Sequence, residues 1–390
     1  MKYPFAERAS LMESSAIREI LKVTQEPDMI SFAGGLPAPE LFPLEGIADA
    51  FREALSSDSS ALQYSNTEGY LPLREYIAAK LQQDGMRVRA ENVLITNGSQ
   101  QALDLTAKLF INPGDVILVE QPSYLGALQV FRSYQPRFVD IPTGNQGINV
   151  DALEQAVREH HPKLIYLTPT FKNPTGVKLT AVRRRAVAEL AEKYNVPVIE
   201  DDPYRELRFH GRPVPTIKSF DGSGWVIYIG SFSKTIAPGL RVGWVAAEEE
   251  LMSKLILAKQ GTDLHTGTLV QRGVYNYLLR NNISDHIERI RDEYGRRRDV
   301  MLQEMDERFP EHISWTHPDG GMFLWVILPE GINTVTLLNQ AIKEKVAYVP
   351  GATFYPNGGG LNTLRLNFSN STPIKIKSGI QRLARLFSGC

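Results

Sequence analysis

Between residues 60 and 280, short apolar runs alternate with stretches whose apolar residues recur at helical spacing, and no other feature restricts the fold as much. The runs are VLIT (93–96), VILVE (116–120), LIYLTP (164–169), VPVIED (196–201), VIYIGS (226–231) and VGWVAA (242–247). Their near-continuous apolar character predicts strands covered on both faces, as in a parallel sheet. QQALDLTAKLF and TAVRRRAVAELAEKY, which lie between runs, supply the apolar periodicity of crossover helices. An α/β fold follows.

A chain of 390 residues exceeds the size at which one hydrophobic core stops growing, so more than one domain is expected. From about residue 285 the pattern changes to a long charged helix, SDHIERIRDEYGRRRDVMLQEMDERF, and then to shorter strands at ISWTHP, MFLWVILP, VAYVPG and TLRLNF. The expected division is an arm over 1–45 that packs with the small domain, a large domain over 46–284, and a smaller α+β domain over 285–390. The GGLPAPELFP cluster breaks any regular element within the arm.

Charge removes several functional classes. Forty-three basic residues against forty-four acidic ones give a net charge of −1, so no overall field draws nucleic acid or a membrane surface. The runs RRR at 183–185 and 296–298 fall on helical patterns and are expected to be solvated faces. No apolar stretch reaches the roughly 18–20 residues of a spanning helix, and the first residues lack the apolar core of a signal peptide. Cys390 is the only cysteine, so intrachain disulfides and cysteine metal clusters are excluded and no metal site is expected. A cytoplasmic protein is the expectation.

Four motifs sit where strands are expected to end, which is where open α/β sheets gather ligands. SFSKTIAPGLRVGW (231–244) places Lys234 among Ser231, Ser233 and Arg241, a set able to surround an anion beside an amine. NGSQQALDL (97–105) makes a Gly-Ser turn into a helix, where free N–H groups and the helix dipole favour phosphate. EDDPY (200–204) puts Asp201 at a strand end, where a carboxylate can meet a cationic ligand atom. FKNPTG (171–176) is a turn. Taken singly, each motif also has an ordinary structural reading: a surface lysine, a helix cap, a solvated acid and a turn.

Together and in this order, the motifs resemble the class I and II aminotransferases of fold type I, enzymes dependent on pyridoxal 5′-phosphate (PLP). The resemblance spans nearly the whole chain. FAGGLPAPELFP, LQYSNTEGY, NGSQQALDL, EQPSY, EDDPY, SFSK and LRLNFS are most similar to the branch of 2-aminoadipate, kynurenine and aromatic aminotransferases.

The resemblance implies a mainly parallel seven-stranded sheet flanked by helices, with a smaller α+β domain. It implies that Lys234 holds PLP as a Schiff base and shuttles the proton, that Asp201 pairs with the pyridine nitrogen, and that Asn173 and Tyr204 bond the ring O3′. Tyr124 would stack on the ring, while Ser99, Gln100, Ser231, Ser233 and Arg241 would form the phosphate cup. Tyr64 would reach the phosphate of a neighbouring subunit, implying a homodimer. Arg365 would clamp the substrate α-carboxylate, a task suited to guanidinium geometry. Gly34 and Gly35 would allow close backbone approach beside the substrate, and Arg18 would contact an acidic substrate side chain. Lys172 replaces the Gln, His or Asn of relatives, with no role assigned.

The implied activity is transfer of the amino group of an L-amino acid to a 2-oxo acid, with 2-oxoglutarate as the expected acceptor and a ping-pong order. The alternatives are another PLP reaction, such as decarboxylation, β-elimination or racemisation, and a ligand-sensing module. The stretch preceding the motifs is read as too short for the DNA-binding domain such a sensor would need.

Overall fold

A computed structural model describes residues 3–12, Ile20 and residues 28–389. Arg18 lies outside the described residues. The central element is an eight-stranded sheet. Its members in chain order are β2 (Val93–Thr96), β3 (Val116–Gln121), β4 (Arg137–Gly144), β5 (Gly147–Ile148), β6 (Leu164–Leu167), β7 (Val198–Asp201), β8 (Val226–Ser231) and β9 (Gly243–Ala246). They lie in the order β2-β9-β8-β7-β6-β3-β4-β5. The eighth member is the two-residue β5, which pairs antiparallel with the end of β4 at one edge. Strand β4 has no counterpart among the apolar runs, because most of it is exposed or half-buried and its pattern is correspondingly weak.

Strand β8 shows why such runs lack alternation. Ile227 and Ile229 enter the core beneath helix α3 (Ser99–Phe110), while Val226 and Tyr228 enter cores on the opposite face. Both faces are dry, so every position is apolar or small. The sheet is parallel from β4 through β8, and β9 runs antiparallel between β8 and β2. That reversal matters for the site. Gly243, the first residue of β9, pairs with Ser231 and Thr96, the last residues of β8 and β2, so Arg241 comes to the edge where the parallel strands end.

A second, four-stranded antiparallel sheet is built from β10 (Ser314–Trp315), β11 (Phe323–Ile327), β13 (Val349–Pro350) and β14 (Thr363–Asn367). Helix α9 (Ile283–Arg308) and helix α11 (Pro373–Phe387) cover it. Helix α11 is specified locally. Thr372 caps it by accepting the Lys375 N–H, Pro373 begins it, and Ile376, Ile380, Leu383 and Phe387 form one buried stripe. Strand β1 (Ile30–Ser31) pairs parallel with β12 (Val346–Ala347), so the segment leading to Gly34 and Gly35 is stitched to this second body.

The arginine runs meet the expectation only in part: Arg185 and Arg296 are exposed, and three others are buried. Arg184 is fully buried, with its guanidinium on the carbonyls of Leu179, Pro169 and Pro215, and Arg297 and Arg298 are also buried. Each found carbonyl or carboxylate partners that helical spacing does not reveal. No helix among the described residues is long and apolar enough to cross a membrane.

Candidate active site

The strand ends meet the second sheet along one edge. Lys234, three residues past β8, donates from Nζ to the carbonyl of Gly35 at 2.9 Å. Burial first, and then the positive charges of Arg365 and Arg241, push its amine down to about 8. A lysine so placed is a far better nucleophile and base at neutral pH than an exposed one.

Asp201 ends β7 with 2% of its surface exposed. Burial pushes its carboxyl up to about 7; a hydrogen bond from the Tyr166 phenol, 2.8 Å from Oδ2, acts the other way. The other oxygen, Oδ1, is buried without a hydrogen-bond partner. A buried carboxylate oxygen left open is costly unless a donor or cation meets it. Tyr124, at the start of helix α4 (Leu125–Arg132), and Tyr204 lie close enough for the Asp201 charge to raise their phenol pKa values further, burial being the main cause.

Arg365 projects from β14 and is 1% exposed. Its Nη1 donates to Asn173 Oδ1 at 2.8 Å and its Nη2 to the Ala33 carbonyl, while Nε has no partner. The guanidinium lies 4.3 Å from the centre of the Phe323 ring and 5.2 Å from that of Phe354. Burial lowers its pKa to about 10, against the partial compensation of Tyr204 and Tyr124. Asn173 also lies beside the Tyr204 phenol. Asn173 thus joins the β6–α6 loop, Tyr204 and Arg365, where α6 is Ala181–Tyr194.

The candidate anion cradle lies beside them. Gly98, with φ +74°, turns the chain from β2 into α3, whose first N–H groups have no intrahelical acceptor. A Cβ at Gly98 would lie 2.5 Å from Arg241 Nη2, so the cradle requires glycine. Arg241 donates to the Asn97 carbonyl at 3.2 Å. Ser231 and Ser233 share a hydrogen bond of 2.9 Å. Behind the turn, the fully buried Lys259 donates to Asp263 and Gln101, while Asp263 accepts from Asn97 at 2.6 Å. Gln100 departs from this cluster: its side chain is exposed and donates to the Gly126 carbonyl at 3.0 Å. Tyr64 is 79% exposed and makes an edge contact with His265 of its own chain.

An amine held near pH 8, an open buried carboxylate oxygen, a glycine cradle at a helix start and a buried guanidinium are the donor set that PLP and an amino acid require. A family profile described as aminotransferase class I and II matches residues 27–383. The chain belongs to the class I and II aminotransferases.

The aminotransferase is 46% identical over 387 residues to aromatic-amino-acid aminotransferase 1 of Thermococcus litoralis, covering 97% of this chain and 93% of that one. It is 44% identical to the 2-aminoadipate transaminase of Thermus thermophilus, covering 99% and 96%. Among solved structures, the Pyrococcus horikoshii kynurenine aminotransferase matches at 44% identity with a TM-score of 0.95, covering 99% and 97%. The chain is thus a PLP-dependent aminotransferase of fold type I acting on amino and 2-oxo acids.

Several contributors escaped the sequence reading: Tyr166, Phe323, Glu120 and the Lys259–Asp263 pair. Tyr166 carried the one usable signal, a phenol inside an otherwise aliphatic buried strand.

Proposed function

We propose that this aminotransferase takes the amino group from L-amino acids with aromatic, 2-aminoadipate-like or other sizeable side chains and gives it to 2-oxoglutarate, in ping-pong order. The observation that carries the substrate assignment is Arg365. A buried guanidinium with no carboxylate against it among the described residues is suited to a ligand carboxylate, which would relieve its desolvation. The relatives, an aromatic-amino-acid aminotransferase, a 2-aminoadipate transaminase and a kynurenine aminotransferase, support the range of donors.

In this reading Lys234 Nζ would hold the cofactor and, once the substrate amine displaces it, would take the proton from the substrate Cα and deliver it to the cofactor carbon C4′. Bound PLP supplies the electron sink that makes that proton removable. Asp201 Oδ1 is suited to the protonated ring nitrogen, and Asn173 with Tyr204 to the ring oxygen O3′. Tyr124 would cover the ring face. The N–H groups at Ser99, together with Ser231, Ser233 and Arg241, would hold the phosphate, and Gln100 would contribute only its backbone. Gly35, whose carbonyl accepts from Lys234 Nζ at 2.9 Å, would bring its backbone close to the substrate. Arg18 is kept as a candidate for acidic side chains.

A homodimer completes the proposal, with the exposed Tyr64 serving the partner's phosphate. The division into residues 1–45, 46–284 and 285–390 and a cytoplasmic location belong to the same reading. A panel of L-amino acids added singly to the holoenzyme tests it. Conversion of bound PLP to pyridoxamine phosphate with release of the 2-oxo acid, followed by recovery with 2-oxoglutarate, is expected. Recovery with pyruvate and not with 2-oxoglutarate would overturn the acceptor assignment.

A further inference from the structure

Lys172, the residue before Asn173, is only 2% exposed. Its ammonium lies 3.2 Å from Glu120 Oε1 and 3.3 Å from Thr143 Oγ1. Glu120, in β3 and 4% exposed, uses its second oxygen to accept the Thr168 N–H at 2.8 Å. One carboxylate therefore holds the loop after β6 at two points, its first backbone N–H and the side chain adjoining Asn173. The Lys172 backbone closes the turn by donating to Val177 O at 2.9 Å and accepting from Gly176 N–H at 2.6 Å. From another side, Arg184 Nη2 donates to Pro169 O at 2.8 Å and Thr170 Oγ1 at 3.1 Å.

An ion pair this deeply buried is a poor way to gain stability, since apolar residues of the same volume commonly do as well. What it adds is direction. A charged hydrogen bond fixes one loop geometry where apolar packing tolerates several. The geometry fixed here is that of Asn173, whose Oδ1 receives Arg365 Nη1.

We propose that Lys172 and Glu120 are positioning residues for substrate recognition: their buried pair sets Asn173, and Asn173 sets the plane of the Arg365 guanidinium that receives the substrate carboxylate. The inference rests on the reading of Arg365 as the carboxylate ligand.

The test uses holoenzyme and 4-methylpentanoate, a carboxylate without an amino group, titrated through the visible absorbance of the bound cofactor. Lys172→Met is expected to weaken binding about tenfold, roughly 1.4 kcal/mol. The KM for an amino donor should rise by a similar factor while kcat stays within about threefold. Lys172→Gln, which keeps a hydrogen bond to Glu120, is expected to recover binding to within about threefold of the parent. Should Lys172→Met fail to fold, Glu120→Gln, which retains the acceptor for Thr168, is read in its place with the same expectation. A lowered melting temperature with unchanged 4-methylpentanoate binding would make the pair structural and overturn the inference. Arg365→Lys is measured alongside. If that variant binds the probe as the parent does, the carboxylate reading of Arg365 fails and the positioning inference fails with it. If Arg365→Lys weakens binding and neither Lys172 nor Glu120 variants do, only the positioning inference falls.

Discussion

The Tyr166 phenol donates to one oxygen of Asp201 at 2.8 Å and leaves the other oxygen buried without a partner. The arrangement orients the carboxylate without saturating it. Tyr166 and Asp201 sit on adjacent parallel strands, so the bond is as rigid as the sheet.

This geometry predicts a pH-dependent stability in the cofactor-free protein. Burial raises the Asp201 carboxyl to about 7 from an ordinary value of 3.8. The folded state therefore retains a proton that the unfolded state loses, and the group's contribution is full below about pH 4 and lost as pH rises through about 7. Asp201→Asn should raise the melting temperature at pH 8, by an equivalent on the order of a few kcal/mol, with a much smaller effect at pH 5. Thermal melts of both proteins across this range decide the matter. A constant difference would mean that Asp201 does not titrate there.

Lys234 predicts the pH dependence of cofactor capture. With its amine pushed down to about 8 by burial, Arg365 and Arg241, the reactive neutral form grows through that pH and then saturates. Stopped-flow addition of PLP to the cofactor-free protein should show this inflection. Arg365→Leu should move it upward, because a neighbouring positive charge is gone. An inflection near 10.5 in the parent protein would contradict the environment described. Lys234→Ala should abolish both covalent capture and turnover.

Gly98 predicts the tolerance of the phosphate cradle. Its backbone lies at φ 74° and ψ 170°, a region essentially reserved for glycine, and Arg241 occupies the space a Cβ would need. Gly98→Ala should weaken PLP binding by about 10- to 100-fold, roughly 1.4–2.7 kcal/mol, measured by titrating the cofactor-free protein. Unaltered affinity would separate this turn from the phosphate.

Tyr64 predicts complementation between subunits. If it serves the partner's site, Tyr64→Ala and Lys234→Ala proteins should each be impaired alone. After random pairing of equal amounts about half of the dimers are mixed, and one of the two sites in each regains both residues, about one quarter of all sites. Activity that stays at the average of the two parents after mixing would assign Tyr64 to its own chain or to neither.

The fold was legible because both faces of the central sheet are dry, which leaves runs such as VIYIGS without a polar break. Strand β4 was not legible for the opposite reason, since RFVDIPTG lies half-exposed near an edge and lost the pattern. Candidate residues at strand ends stood out because turn residues flank them, as with Asn173 and Asp201. Those acting from behind were hidden. Glu120 and Arg184 look like surface charges until folding brings their partners, and helical or strand periodicity carries no information about a carboxylate fifty residues away; Lys259 and Asp263 stand one helical turn apart and read as an ordinary surface pair until Gln101 and Asn97 pack against them.

The pairing of Ile30 with Val346 has a consequence for how the enzyme is made. The strand that leads to Gly35 is synthesised hundreds of residues before its neighbour, and Gly379 of helix α11 completes the packing around Phe32. A Cβ at Gly379 would lie 2.4 Å from the Phe32 ring, so that contact admits no larger residue. Contacts this distant in sequence form late. A nascent chain can assemble the sheet that bears Lys234 while the segment around Gly35 still lacks a place to dock, so the site should close over Lys234 only once residues 346–379 have left the ribosome.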